Sequence, residues 1–129
     1  MSNEEKNANN FWGPDIVVTI PKDRLAAVEE EENRIQRAMK RGEDGWRYFW
    51  QMGRLPKKKP RRVYFLWNNA VRAYHEVLFM EGGDIGFING NITRIWLKPE
   101  IHEITPIPME PFRGFRYFHQ NYDQTRRTD

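Results

Sequence analysis

The segment Gly45–Trp67, GWRYFWQMGRLPKKKPRRVYFLW, sets two aromatic clusters around a run of positive charge. Arg54, Lys57, Lys58, Lys59, Arg61, Arg62 and, further on, Arg72 follow one another with no acid among them. Lysines attract phosphate as point charges, arginines fork onto phosphate or a guanine edge, and each phosphate neutralised releases condensed counterion. Aromatic rings beside such a run are how single strands are often held, because each stacked base contributes about 1–3 kcal/mol. Trp12, Tyr48 and Trp50 are the candidate stacking walls. The same residues also fit a plainer arrangement, in which Trp46, Phe49 and Trp50, spaced i, i+3, i+4, form the core face of a short helix and the lysines keep a small protein in solution. On that arrangement Tyr48 lies off the core face and is exposed.

The chain has 129 residues, enough for one domain and one core. Its net charge of +3, from 21 basic and 18 acidic residues, says little by itself; the acids crowd into Glu29–Glu32 and the N-terminal tail, so one end of the molecule carries the positive field. There are no cysteines, which excludes disulfides, thiolate zinc sites and cysteine nucleophiles. His75, His102 and His119 lie far apart without metal-ligand spacing, so no metal and no cofactor are expected. No apolar run approaches the roughly 20 residues of a membrane span, and the polar start MSNEEKNANN lacks a secretory profile. A cytoplasmic protein without a membrane partner is the expectation.

The elements that must position these residues follow from local pattern. Residues 1–10 and 120–129 read as flexible tails around a single domain over 11–119. DIVVTIP is a strand closed by Pro21. KDRLAAVEEEENRIQRAMKRG carries Leu25, Val28, Ile35 and Met39 at approximate helical spacing, acids early, bases late and Gly42 at its end, which predicts a surface helix with Glu29–Glu32 on its solvated face. LPKKKP, between two prolines, predicts an irregular loop. RRVYFLW and AVRAYHEVLFM around Asn68-Asn69 predict a β-hairpin, since Asn tolerates the positive φ of a type I′ turn. Val63, Phe65 and Trp67 alternate with Tyr64 and Leu66, so both faces of that strand are apolar and the sheet must be covered on both sides. ITRIWL, EIHEITPI and FRGFRYFH, broken at Gly114, supply further strands, and GGDIGFINGN a glycine-rich connection without the pattern of a phosphate loop. The tally predicts a small α+β domain of mainly antiparallel strands with one or two helices.

The order of strand, helix, the loop LPKKKPRRVYF delivering a central hairpin, and a closing FRGFRYF resembles the PUA-like superfamily, in particular its ASCH and EVE branches, over roughly Asp15–Phe118. The resemblance implies a pseudobarrel with a cleft between helix and sheet. It also implies binding of RNA, of modified bases in DNA or of nucleoside-like ligands, and in some ASCH proteins hydrolysis of an acylated cytidine. The catalytic ASCH pattern resembles G-x-K-x-x-T-x-R, whereas TIPKDR offers Thr19, Lys22 and Arg24 with threonine first and no preceding glycine. A hydrolytic alternative takes Lys22 as base, Thr19 as nucleophile and Glu76 as proton carrier, provided the sheet brings them together. His75 and Glu76, adjacent on a strand, face opposite ways and form no pair of their own. The leading expectation is a nucleic-acid or modified-base binding domain, binding rather than catalytic, with the basic loop at the mouth of an aromatic-lined cleft. The alternatives are a small amidohydrolase acting on an acylated nucleoside and a protein-binding module of phage or mobile-element origin.

Overall fold

The computed structural model describes residues 12–82 and 93–118. The two expected tails, His119 and all of the glycine-rich connection but Gly82 lie outside the described residues. The elements are β1 (Trp12–Gly13), β2 (Ile16–Thr19), α1 (Lys22–Lys40), β3 (Tyr48–Gln51), β4 (Lys59–Pro60), β5 (Arg62–Trp67), β6 (Ala70–Glu81), β7 (Arg94–Leu97), β8 (His102–Pro108) and β9 (Phe115–Tyr117). The result is a small α+β domain with a mixed sheet in the order β3-β7-β6-β5-β2-β9, with β8 also paired to β6. β2 runs parallel to β5, a pairing that needs a crossover connection, here supplied by the long segment that contains α1 and β3. The other pairings of this sheet are antiparallel.

The β5–β6 hairpin forms as expected: Asn68 and Asn69 take φ of 52° and 60°, the left-handed pair that a two-residue I′ turn requires. β6 is the spine of the molecule. Its first half pairs with β5 on one edge and β8 on the other, and its second half pairs with β7. Two bulges punctuate it, one making Arg72 the extra residue opposite Phe65 and Leu66, the other making Leu78 extra between Val77 and Phe79. Bulges re-aim side chains and increase local twist.

Both faces of β5 are buried, as its pattern requires. Val63 and Phe65 join Ile16, Val18, Ile95 and Leu97 beneath Leu25 and Val28 of α1. Tyr64 and Leu66 join Val17, Val71 and Phe118 on the opposite face, where the segment after β8 supplies Met109 and Phe112 as cover. α1 buries Ile35 and Ala38, keeps Arg37 and Lys40 in its last turn, and ends before Gly42 at φ 84°. That positive φ is the conformation a glycine stop supplies.

Two local expectations are corrected. The second helix does not form: Tyr48–Gln51 is β3, paired with β7 through Tyr48–Leu97 and Trp50–Ile95. Spacing i, i+3, i+4 marks a helix face only when the segment lacks a strand partner, and here the partner lies more than 40 residues away. Trp46 is excluded from any common face with Phe49 and Trp50; it stands in the approach to β3, its indole N–H donating to Glu43. LPKKKP is not wholly irregular either, because Lys59 and Pro60 bridge parallel to Trp12 and Gly13. Gly13 permits this approach: a Cβ there would sit 2.6 Å from Cβ of Lys58.

Candidate functional site

β3, β5 and β6 present their inner faces to α1, and a cleft of about 650 Å³ remains between this surface, the helix and β8. Its walls are aromatic and aliphatic, with Tyr48, Phe65 and Trp67 on the sheet side and Leu25 and Val28 on the helix side. Polar groups reach it from Glu32 and Arg72, with Glu103 on β8. Flat apolar walls with a few directed polar groups are the general composition of a site for a small planar ligand.

Beneath Tyr48 and Glu32 lies His75, fully buried. Its Nδ1 stands 2.8 Å from the Lys98 carbonyl, an acceptor only, so Nδ1 carries a hydrogen and donates. Its Nε2 lies 3.0 Å from the Tyr48 hydroxyl and 3.2 Å from Oε1 of Glu32. The Tyr48 hydroxyl is hydrogen-bonded to Glu32 as well, so histidine, phenol and carboxyl form one connected cluster at the cleft floor. Burial, followed by the negative charge of Glu32, pushes the Tyr48 hydroxyl well above the ordinary phenol range, so it stays a hydrogen-bond donor at any physiological pH.

Two expectations change here. Tyr48 is not an exposed stacking platform, because strand alternation turns it inward to His75. Nor is Glu32 part of a solvated face: its side chain is 13% exposed and reaches inward, whereas Glu31 stays outside and pairs with Arg34. Sequence reading missed the Glu32–His75 contact because 43 residues separate the partners and only the packing of α1 joins them.

Trp50 also points inward, edge-on to Phe65 at 5.3 Å with the Arg24 guanidinium 6.0 Å from its ring. Trp12 is placed by its backbone pairing with Lys59. The basic residues divide into groups. Arg54, Lys57, Lys58, Lys59 and Arg61 do not line the cleft, which corrects the expectation of a basic loop at its mouth. Lys59 and Arg61 run past the other end of β6, where Lys59 Nζ donates to the Leu78 carbonyl and Val77 N–H to the Arg61 carbonyl. Arg54 lies over the Phe115 ring at 5.6 Å. Arg62 is folded onto the opposite face, 4.3 Å over the Tyr74 ring, with Nη1 donating to the Tyr64 hydroxyl. Arg72 alone reaches the cleft, because the bulge turns it there, and it ties off the hairpin by donating to the Trp67 and Asn68 carbonyls.

Thr19, Lys22 and Glu76 are not brought together. Thr19 pairs across from Leu66 and Glu76 across from Arg62, at opposite ends of β5. The Thr19 hydroxyl accepts from the Phe112 N–H, Glu76 holds Lys98 at 3.3 Å, and Lys22 is exposed at the start of α1. Among the described residues no three His, Asp or Glu side chains converge as metal ligands. No helix among them is long and apolar enough to cross a membrane.

Comparison with family models, with characterised proteins and with solved structures returns no match to this chain.

Proposed function

We propose that this chain is a nucleic-acid or modified-base binding domain that receives a base or nucleoside in the cleft between α1 and the sheet. One observation carries the reading: an aromatic-walled cleft of about 650 Å³ has Tyr48 and Glu32 presented at its floor by a fully buried histidine. A base needs flat walls against its faces and directed polar atoms at its edge, and the cleft supplies both. Trp67 meets the ring, the Tyr48 oxygen accepts from an N–H at its edge, and Glu32 faces the exocyclic amino side. Arg72 at the rim meets the sugar or phosphate side. This reading agrees with what the PUA-like resemblance implies, a pseudobarrel with its cleft between helix and sheet, and makes that family assignment part of the proposal. It adds no catalytic step, since the residues of the hydrolytic alternative stand apart.

The test uses calorimetric titration of the purified chain with common nucleosides and with 5-methyl, 5-hydroxymethyl and N4-acyl cytidines. Asn33 lines the cleft from an exposed position on α1, so Asn33→Trp fills the mouth without touching the core. Saturable binding by the wild type, lost in Asn33→Trp at unchanged melting temperature, is the expected result. Binding that survives the plug, or an absence of binding across the nucleoside set at millimolar concentration, overturns the reading.

A further inference from the structure

A second surface lies on the far side of β3, β7 and β6. Where Tyr48, Trp50, Ile95, Leu97, Val77 and Met80 turn inward, their alternates Phe49, Trp96 and Phe79 turn outward. Register places these rings in one row across adjacent strands, Phe49 opposite Trp96 and Trp96 opposite Phe79. The bulge at Leu78 is what turns Phe79 outward. Ring centroids are 5.0 Å apart for Phe49–Trp96 and 6.0 Å for Phe79–Trp96. Phe49 and Phe79 each remain 40% exposed.

A cross-strand aromatic row stabilises a sheet by about 0.2–1 kcal/mol per pair, and that accounts for its presence on a strand edge. Its charged surroundings go further. The Arg47 guanidinium lies 5.1 Å from the Trp96 ring and 5.8 Å from Phe79, and among the described residues it forms no ion pair. Arg94 lies 4.8 Å from Phe49 and shares Glu81 with the Trp96 indole N–H, at 3.4 Å and 2.9 Å. Beyond Phe79 the row meets the basic segment, whose Lys59 is bonded to the carbonyl of Leu78, the residue just before Phe79. Exposed rings flanked by arginines and ending at a lysine run are complementary to a flexible polyanion that carries its own flat apolar faces.

We infer that the Phe49–Trp96–Phe79 row, with Arg47 and Arg94, is a stacking platform for single-stranded nucleic acid, and that the strand continues from it onto Lys57 and Lys58. The inference deepens the proposed function by giving the domain a sequence-tolerant grip on the strand, separate from the cleft that reads a base. Two or three bases stack on the row and their phosphates meet the guanidinium groups.

The experiment is fluorescence polarisation with a labelled twelve-nucleotide deoxythymidine strand and the same strand made abasic, at about 50 mM salt. The abasic strand keeps the phosphates and lacks the rings, so the ratio of the two affinities isolates stacking. The wild type is expected to prefer the intact strand by about ten-fold or more, since one stacked base is worth that much. Phe49→Leu with Phe79→Leu keeps the apolar cover of the sheet, and is expected to bring the two affinities within about two-fold of each other at unchanged melting temperature. Arg47→Ala is expected to weaken both strands alike. A double variant that retains the full preference, a wild type that binds both strands equally, or a wild type that binds neither overturns the platform. The nucleoside titration with Asn33→Trp is read separately, so failure of the platform with intact cleft binding is distinguishable from failure of the cleft.

Discussion

The hydroxyl of Tyr48 lies 3.0 Å from Nε2 of His75, and its protonation is tied to the fold. Burial raises its folded pKa above the unfolded phenol value of 10.0, with the charge of Glu32 adding to the shift. The raised folded value means the native state holds this proton more tightly than the unfolded state. The resulting stability is fully present below pH 10.0 and is lost as pH rises beyond it. Tyr48→Phe is therefore expected to flatten the loss of melting temperature between about pH 9.5 and 11, the onset of phenol ionisation. An unchanged alkaline profile would show that the hydroxyl is solvated. His75→Ala removes a fully buried side chain and leaves Tyr48 and Glu32 without their shared partner. A loss of about 2–4 kcal/mol in denaturant unfolding is expected from the cavity and the stranded polar groups. At this scale the sequence was least legible. The alternation of AVRAYHEV shows that His75 and Glu76 part company, but no local pattern tells which acid of Glu29–Glu32 turns inward.

Elements were legible where the signal was local. Asn68-Asn69 announces the hairpin because the turn needs positive φ at both positions, and Gly42 announces the helix end for a similar reason. β3 was misread because YFWQ is compatible with two periods, and only its pairing with β7 decides between them. The short bridge of β1 with β4 was illegible for a different reason: it depends on the missing Cβ of Gly13 beside Lys58, which no periodicity reports. Gly13→Ala would set a methyl 2.6 Å from Cβ of Lys58 and 3.2 Å from its carbonyl oxygen. A destabilisation of about 1–3 kcal/mol is expected, with amide-exchange protection lost first at residues 12–13 and 59–60. Full retention of that protection would mean that the bridge yields without strain. Asn69→Val, a β-branched residue at φ 60°, is expected to cost about 1–3 kcal/mol by chemical denaturation, whereas Asn69→Gly is tolerated.

For the whole molecule, the net charge of +3 matters less than its partition. The basic run was expected at the mouth of the cleft, but Lys59 and Arg61 meet the second half of β6 instead, so the cleft lies towards one end of that strand and an aromatic surface with bases beside it towards the other. Strand binding should then weaken steeply with salt while nucleoside binding hardly changes. Removing Lys57 and Lys58 by Lys57→Ala and Lys58→Ala is expected to flatten the log–log salt slope for a single strand by about 1.4, two contacts' worth, without altering nucleoside affinity. The α+β class could be read in advance from the tally of strands and helix, and the covered sheet from the doubly apolar RVYFLW, whereas the expected pseudobarrel is not shown. The separation of cleft from basic run could not be read in advance, because it depends on which end of a twelve-residue strand each segment meets.

The claim that the cleft is a base site is tested most directly by nitrogen-15 NMR titration of the wild type with the tightest-binding nucleoside of the series. Saturable shifts confined to the cleft are expected, at the backbone amides of Glu32, Tyr48, Phe65, Trp67 and Arg72 and at the Trp67 indole. Shifts confined to Phe49, Phe79 and Trp96, or no shifts at saturating nucleoside, would contradict it.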